Sequence, residues 1–143
     1  HAWEGGNIDH DSSYVIALKL MRSNLKIVNG FQFPFYNSYN MPFNFYRVFF
    51  PIKENGQAIN PKISYNEKVQ FIKYLFYYPS QIKIWIGLYP FIILKIFRNN
   101  YNYLQKIDKK IKLNKPHKNS LWYEKLKFTS FDKIIVIFSS FLS

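Results

Sequence analysis

IWIGLYPFIIL, residues Ile84 to Leu94, is the longest apolar stretch of the chain, and whether it crosses a membrane decides what fold surrounds it. Gly87 and Pro90 interrupt it, and Lys83 and Lys95 bound it. A spanning helix needs about 20 apolar residues, so this one falls short even with tilt. The next candidate, Ile134 to Phe138, is shorter and ends in Ser139-Ser140. A mean hydropathy of −0.21 agrees with a soluble chain. The stretch therefore reads as a buried strand–turn–helix, with Ile82, Ile84 and Ile86 alternating with Lys83 and Trp85 as a short strand before Gly87. One other reading stays open for Trp85 to Phe97. Trp85, Tyr89 and the flanking lysines are what a membrane interface selects.

Upstream, Ser64-x-x-Glu67 is a capping box, and Val69, Ile72, Leu75 and Phe76 follow at helical spacing, so the spacing predicts a helix that Pro79 stops. Downstream, an amphipathic pattern through Ile93, Ile96, Phe97, Leu104, Ile107 and Ile111 predicts a long helix ended by Asn114-Lys115-Pro116. A short helical turn over Leu121 to Lys127 and a strand over Lys133 to Phe138 follow. In the first half, Leu25 to Val28, Asn29-Gly30 and Phe31 to Phe33 give the pattern of a hairpin with a type I′ turn. Arg47 to Lys53 and Gln57 to Tyr65, around Glu54-Asn55-Gly56, repeat it as an edge hairpin or loop, because Pro51 and Pro61 lack a backbone donor. Between them Tyr36 to Phe45 is Asn- and aromatic-rich without a period, an ordered connection expected to lie on a partner. The class is α+β, with N-terminal hairpins, two amphipathic helices and a C-terminal strand.

The 143 residues fit one domain. Residues 1–11 carry Glu4, Asp9 and Asp11 and no Lys or Arg, and read as a loose acidic arm; residues 12–143 form a single basic α+β domain. The segment has neither the basic character of a transit peptide nor the apolar run of a signal peptide, and a chain opening on His1 reads as processed or partial. His1, Glu4, Asp9, His10 and Asp11 are the one cluster with metal-ligand chemistry, but no helix holds them at fixed spacing beside Gly5-Gly6, so no metal and no cofactor is expected.

Twenty Lys plus Arg against eight Asp plus Glu give a net charge of +12 and call for an anionic partner. Half of the positive charge lies between Lys95 and Lys127. On a helix, Lys106, Lys109 and Lys110 form one face while Ile107 and Ile111 turn elsewhere, so one side meets phosphates as the other packs. The expected RNA-binding set is Lys106, Lys109, Lys110, Lys112, Lys115, Lys118, Arg98, Lys125 and Lys127 for the backbone, with Tyr101, Tyr103 and Trp122 as rings for unpaired bases. A solvated face that only keeps the chain soluble is the competing reading. His117, between Pro116 and Lys118, is expected in an exposed loop beside phosphate. Cysteine is absent, which excludes disulfides, Cys-ligated zinc and a thiol nucleophile. The eight carboxylates are scattered, and no G-x-S-x-G or glycine-rich phosphate loop occurs, so nothing points to an enzyme. No N-x-Ser/Thr sequon occurs among fourteen Asn, which fits a compartment without N-glycosylation.

Phe, Tyr, Met, Ile, Asn and Lys, the residues with A+T-rich codons, make up 78 of the 143, whereas Gly, Ala, Arg and Pro make up 18. Seventeen Lys against three Arg points the same way, since a basic protein free of such bias uses Arg for bidentate phosphate contacts. The gene lies in an A+T-rich genome. With 21% aromatic and 48% hydrophobic residues, the composition resembles that of mitochondrially encoded protist proteins. Together with the charge layout, this resemblance implies a ribosomal protein of a mitochondrial ribosome, an rRNA-binding constituent of a ribonucleoprotein that serves translation on the matrix side, with ribosomal RNA and neighbouring ribosomal proteins as partners. An accessory subunit of an inner-membrane respiratory or ATP synthase complex, touching the membrane through Trp85 to Phe97, is the alternative. A maturase-like fragment is a third, disfavoured by the scarcity of carboxylates. Rings clustered from Phe31 to Phe50 are too many for one small interior and are expected to bury against partners.

Overall fold

The computed structural model describes residues 1–24, 26–27, 29–77, 82–98 and 103–143. Helix α1 (Ile8–Ser23) starts where the Asn7 side chain accepts from the Asp9 amide at 3.0 Å. Asp11, Tyr14, Val15, Leu18 and Met21 recur every three or four residues and form its buried stripe. That stripe meets Phe131, Ile134 and Phe138 of helix α5 (Phe131–Leu142), with Trp3 and Tyr123 between them. The expected C-terminal strand over 133–138 is thus the middle of a helix. A short apolar run does not reveal its own period, and burial every three to four residues decided it.

Strands β1 (Phe31–Gln32), β2 (Tyr36–Asn37), β3 (Arg47–Val48), β4 (Ala58–Ile59) and β5 (Leu104–Lys106) make two small antiparallel sheets. In the first, β5 lies between β1 and β4, with Gln32 and Ala58 both opposite Gln105. In the second, β2 pairs with β3, Tyr36 opposite Val48. The expected 25–33 hairpin therefore does not form among the described residues: the strand after Asn29-Gly30 takes its partner from residues 104–106. Leu25 and Val28 lie outside the described residues. The 47–65 hairpin is likewise split, β3 pairing back to β2 and β4 pairing with β5. Each strand ends before its proline, as the missing donors of Pro51 and Pro61 require. Tyr36 and Asn37, expected in a surface connection, are buried.

The capping box is present: Ser64 Oγ accepts from the Glu67 amide, and Glu67 Oε2 accepts from the Ser64 amide at 2.7 Å. Helix α2 (Tyr65–Leu75) follows as the sequence predicts; Pro79 lies outside the described residues. Helix α3 (Ile82–Phe97) replaces the expected strand over 82–86, with Pro90 inside it. Its apolar residues occur on every side, so a short window of alternation imitated a strand. Leu88, Ile92 and Ile96 face Tyr36, Val48 and Phe49 to form a second core. The long helix expected through Ile111 instead ends at Phe97: Leu104 to Lys106 is strand, and Ile107 and Ile111 lie in the turn that follows. No helix of the described residues is long and apolar enough to cross a membrane. Helix α4 (Trp122–Lys125) fulfils the predicted short turn.

Residues 1–11 are not a loose arm. Trp3, Glu4 and Asp11 are buried, and the Trp3 indole N–H donates to the Asn114 carbonyl at 2.8 Å. Gly6 lies so close to the Tyr36 carbonyl that no side chain fits between them. These polar residues enter the interior because backbone donors there need acceptors. Glu4 accepts from the amides of Phe35 (2.9 Å) and Tyr36 (3.3 Å) and from Asn37 Nδ2 (3.2 Å); Asp11 Oδ1 accepts from the amides of Glu4 (3.2 Å) and Gly5 (3.1 Å). Of the rings from Phe31 to Phe50, Phe49 is buried, while Phe31, Phe33, Phe43 and Phe45 stay exposed.

Candidate nucleic-acid interface

Lys106, Lys109 and Lys110 come together although no helix carries them. Lys106 is the last residue of β5, and Lys109 and Lys110 sit on the turn that follows. With Gly56, Gln57 and Ile59 they line an open groove of about 640 Å³. Gly56 forms part of its wall with φ of +95°, a conformation that favours glycine, and a Cβ there would meet nothing within 4 Å. That side of the wall is therefore sterically open, although the Gly56 amide already donates to the Lys53 carbonyl at 3.0 Å. Gln105 fixes the wall from below, its Nε2 donating to the carbonyls of Ile52 (2.8 Å) and Gly56 (2.6 Å).

The turn itself is held at both ends. Asp108 Oδ1 accepts from the Lys110 amide at 2.9 Å, an Asx turn. Arg22, at the C-terminal end of α1, donates from Nε to the Lys109 carbonyl (2.8 Å) and from Nη2 to the Ile111 carbonyl (2.6 Å). One guanidinium fork therefore pins the loop that presents two lysines. Replacing Arg22 by Met keeps the stem and removes both bonds, each worth roughly 1 kcal/mol. Arg22→Met is expected to speed amide exchange at residues 109–111 and weaken RNA binding a few-fold, with α1 intact; unchanged exchange in that turn would show that the fork does not hold it.

The other expected contacts are dispersed. Lys112 and Lys115 line a second, smaller cavity of about 200 Å³ beside Trp3 and Asn55. Lys115 Nζ is also 2.8 Å from Glu124 Oε2. Lys125 Nζ donates to the Met41 carbonyl at 2.7 Å, so that cation serves the fold. Lys118, Lys127 and Arg98 are exposed, Arg98 directly after α3. Tyr103 is half-buried. Trp122 packs edge-on against Tyr46 with ring centroids 5.2 Å apart. Tyr101 lies outside the described residues. His117 is not in an exposed loop: it is 2% exposed, lies edge-on to Tyr39, and has no hydrogen-bond partner on either ring nitrogen. Burial, reinforced by Lys115, lowers its pKa to about 4, so it is neutral and apolar in role. Sequence reading missed Arg22, Gly56 and Gln57. The Asn55-Gly56 pair was a signal for the last two; nothing local to Arg22 marks a partner 87 residues away.

Behind this surface, burial pushes both Glu4 and Asp11 up to about 8, against the amides that donate to them, and pushes His10 down to about 4. The folded state therefore holds more protons on the carboxyls than an unfolded chain does between pH 4 and 8, and fewer on His10 and His117 between pH 4 and 6.5. Carboxyl stabilisation is complete below the ordinary carboxyl range and is lost as pH rises through 8; histidine stabilisation is complete above 6.5 and is lost as pH falls toward 4. The two slopes oppose each other below pH 6.5; above it the histidine slope ends, and the two carboxyls outweigh the opposing slope of the His1 amino group, whose pKa burial lowers. Unfolding free energy in urea should stay nearly level from pH 5 to 6.5. It should then fall to pH 8 by on the order of 1 kcal/mol per pH unit for each carboxyl. A rise over that last interval would contradict it.

Among the described residues no three His or carboxylate side chains gather as a metal-ligand set. No protein-family model, curated protein or solved structure matches the chain.

Proposed function

We propose that this chain is a structural constituent of a mitochondrial ribosome that binds rRNA. The observation carrying the reading is the groove where Lys106, Lys109 and Lys110 converge beside the open Gly56 backbone. Three cations against the one carboxylate of Asp108 leave the groove net positive, which attracts a phosphodiester chain and carries no base-edge code. Such contacts hold RNA by charge and shape, as a ribosomal constituent must, and need no catalytic group. Phe43 and Phe45, 85% and 60% exposed, offer rings to unpaired bases or to neighbouring ribosomal proteins. The A+T-driven composition supports a mitochondrial gene and a matrix-side location. Gradient sedimentation of lysed organelles tests the reading. The protein should travel with a ribosomal subunit and shift to the top after ribonuclease treatment. Travel with a detergent-solubilised respiratory or ATP synthase complex, insensitive to ribonuclease, would replace it by the inner-membrane alternative.

A further inference from the structure

Helix α3 has two apolar sides, and among the described residues one is packed and the other exposed. Leu88, Ile92 and Ile96 are buried in the second core. On the opposite side Ile86, Pro90, Leu94 and Phe97 recur at spacings of four, four and three, with Phe91 beside them; Ile86, Leu94 and Phe97 are 67%, 54% and 69% exposed. At 1.5 Å per residue the stripe runs about 16 Å along the helix. Tyr74, Phe76 and Tyr77 at the end of α2 extend the apolar ground, Phe76 lying tilted against Tyr89 with centroids 5.5 Å apart. A lone soluble domain seldom exposes so continuous a patch.

Charge identifies what covers it. No carboxylate occurs between Glu67 and Asp108, and outside the groove that stretch carries Lys68, Lys73, Lys83, Lys95 and Arg98. Half-buried Lys95 and exposed Arg98, directly after the helix, put positive charge at this end of the stripe, and Arg47 of β3, its guanidinium over the Phe50 ring, lies near enough to act on Lys95. Burial and then the charges of Arg47 and Arg98 lower the proton affinity of Lys95. Among the described residues the ion pair of Lys115 with Glu124 involves none of the three. A protein partner would have to bring both apolar area and several carboxylates in this order. A lipid surface supplies both at once: acyl chains beneath, phosphates at the depth of these cations, and an interfacial layer for tyrosine.

The geometry points to the α3 face as a docking surface for an anionic membrane, with the helix lying in the interface plane and its outer side, Ile86 to Phe97, inserted among the lipids. This goes beyond RNA binding and uses different residues, so either can fail alone.

Vesicle flotation of the ribonuclease-treated protein tests it, with phosphatidylcholine alone and phosphatidylcholine containing about one part in four phosphatidylglycerol. The wild-type chain should float with the anionic vesicles and not with the neutral ones. Leu94→Gln with Phe97→Gln, both exposed and so compatible with the fold, should lower binding by roughly tenfold or more. Lys106→Gln with Lys109→Gln and Lys110→Gln should float like wild type. If the apolar double variant floats undiminished, or the lysine variant does not float, binding is charge attraction alone and the proposal fails. If wild type self-associates without lipid and the double variant is monomeric, a second copy covers the face and the proposal fails equally.

Discussion

Glu4→Ala should remove about 3–5 kcal/mol of unfolding free energy, the largest loss expected from any single substitution in this chain. The carboxyl group is fully buried and its oxygens take hydrogen bonds from two backbone amides and the Asn37 side chain. Without it those donors are left dry, and Ala leaves a void where no water is guaranteed. Against a typical total of about 5–15 kcal/mol, that loss places the variant near the unfolding threshold. The same segment is tied down by other bonds: the Trp3 amide donates to Gln32 Oε1 at 3.0 Å, and Asn55 Nδ2 donates to the Trp3 carbonyl at 2.7 Å. Loss of Glu4 therefore releases β2 more than it releases Trp3. Glu4→Gln keeps one acceptor oxygen and cannot ionise; it should cost less and halve the decline of stability between pH 6.5 and 8. Urea unfolding of the three proteins in moderate salt decides the matter. A loss under about 1 kcal/mol for Glu4→Ala would mean that the carboxyl group is not the anchor of residues 35–37.

Substituting Gln for Lys106, Lys109 and Lys110 together should weaken RNA association by a hundredfold or so at low salt and reduce the slope of log affinity against log salt by about two to three. Each neutralised phosphate releases condensed counterions, so the slope counts contacts where affinity alone does not. Gln retains the length and hydrogen-bonding capacity of the side chain, and all three positions lie outside both cores, so the fold should be unchanged. The loss should be similar for RNAs of unrelated sequence, because phosphate contacts carry no base code. A companion variant, Lys125→Gln, makes the contrast: its amine already serves the Met41 carbonyl, so it should cost stability more than RNA affinity. If the triple variant keeps the full salt slope, the groove is a solvated face and the cations that hold RNA are elsewhere, with Lys118 and Arg98 next in exposure.

What could be read from the sequence was whatever depended on neighbours within four or five residues. The Ser64–Glu67 capping box carries its own partners and correctly placed α2. The clustering of lysines between residues 106 and 110 also survived, though the helix invoked to explain it did not: an Asx turn and a strand end bring the same side chains to one place. Failures came where the deciding contact was distant. Asn29-Gly30 promised a local hairpin, but Phe31 and Gln32 found a better partner 75 residues on, where Gln105 could satisfy the 52–56 turn as well. Ile82, Ile84 and Ile86 alternate as a strand would, yet α3 buries one side and leaves the other bare, so its periodicity is visible only in burial. The acidic arm was misjudged because charge was read as a preference for water, whereas Glu4 and Asp11 answer backbone amides that no local pattern announces.

Trp3 is closed in by Phe131 and Phe138, with ring centroids 6.2 and 5.9 Å away, and by the Asn114 carbonyl. Seen in time, the segment around Trp3 is finished by a helix that follows it far along the chain. At a synthesis rate of about 5–20 residues per second, Trp3 waits on the order of 10 s for residue 138. During that interval the side of α1 that meets α5 lacks its cover. Long-range closure of this kind slows folding and leaves apolar surface open to wrong partners. The nascent chain should therefore need a chaperone or its final assembly partner close at hand, and removal of residues 131–143 should leave the N-terminal half open to protease throughout, however well α2 forms on its own.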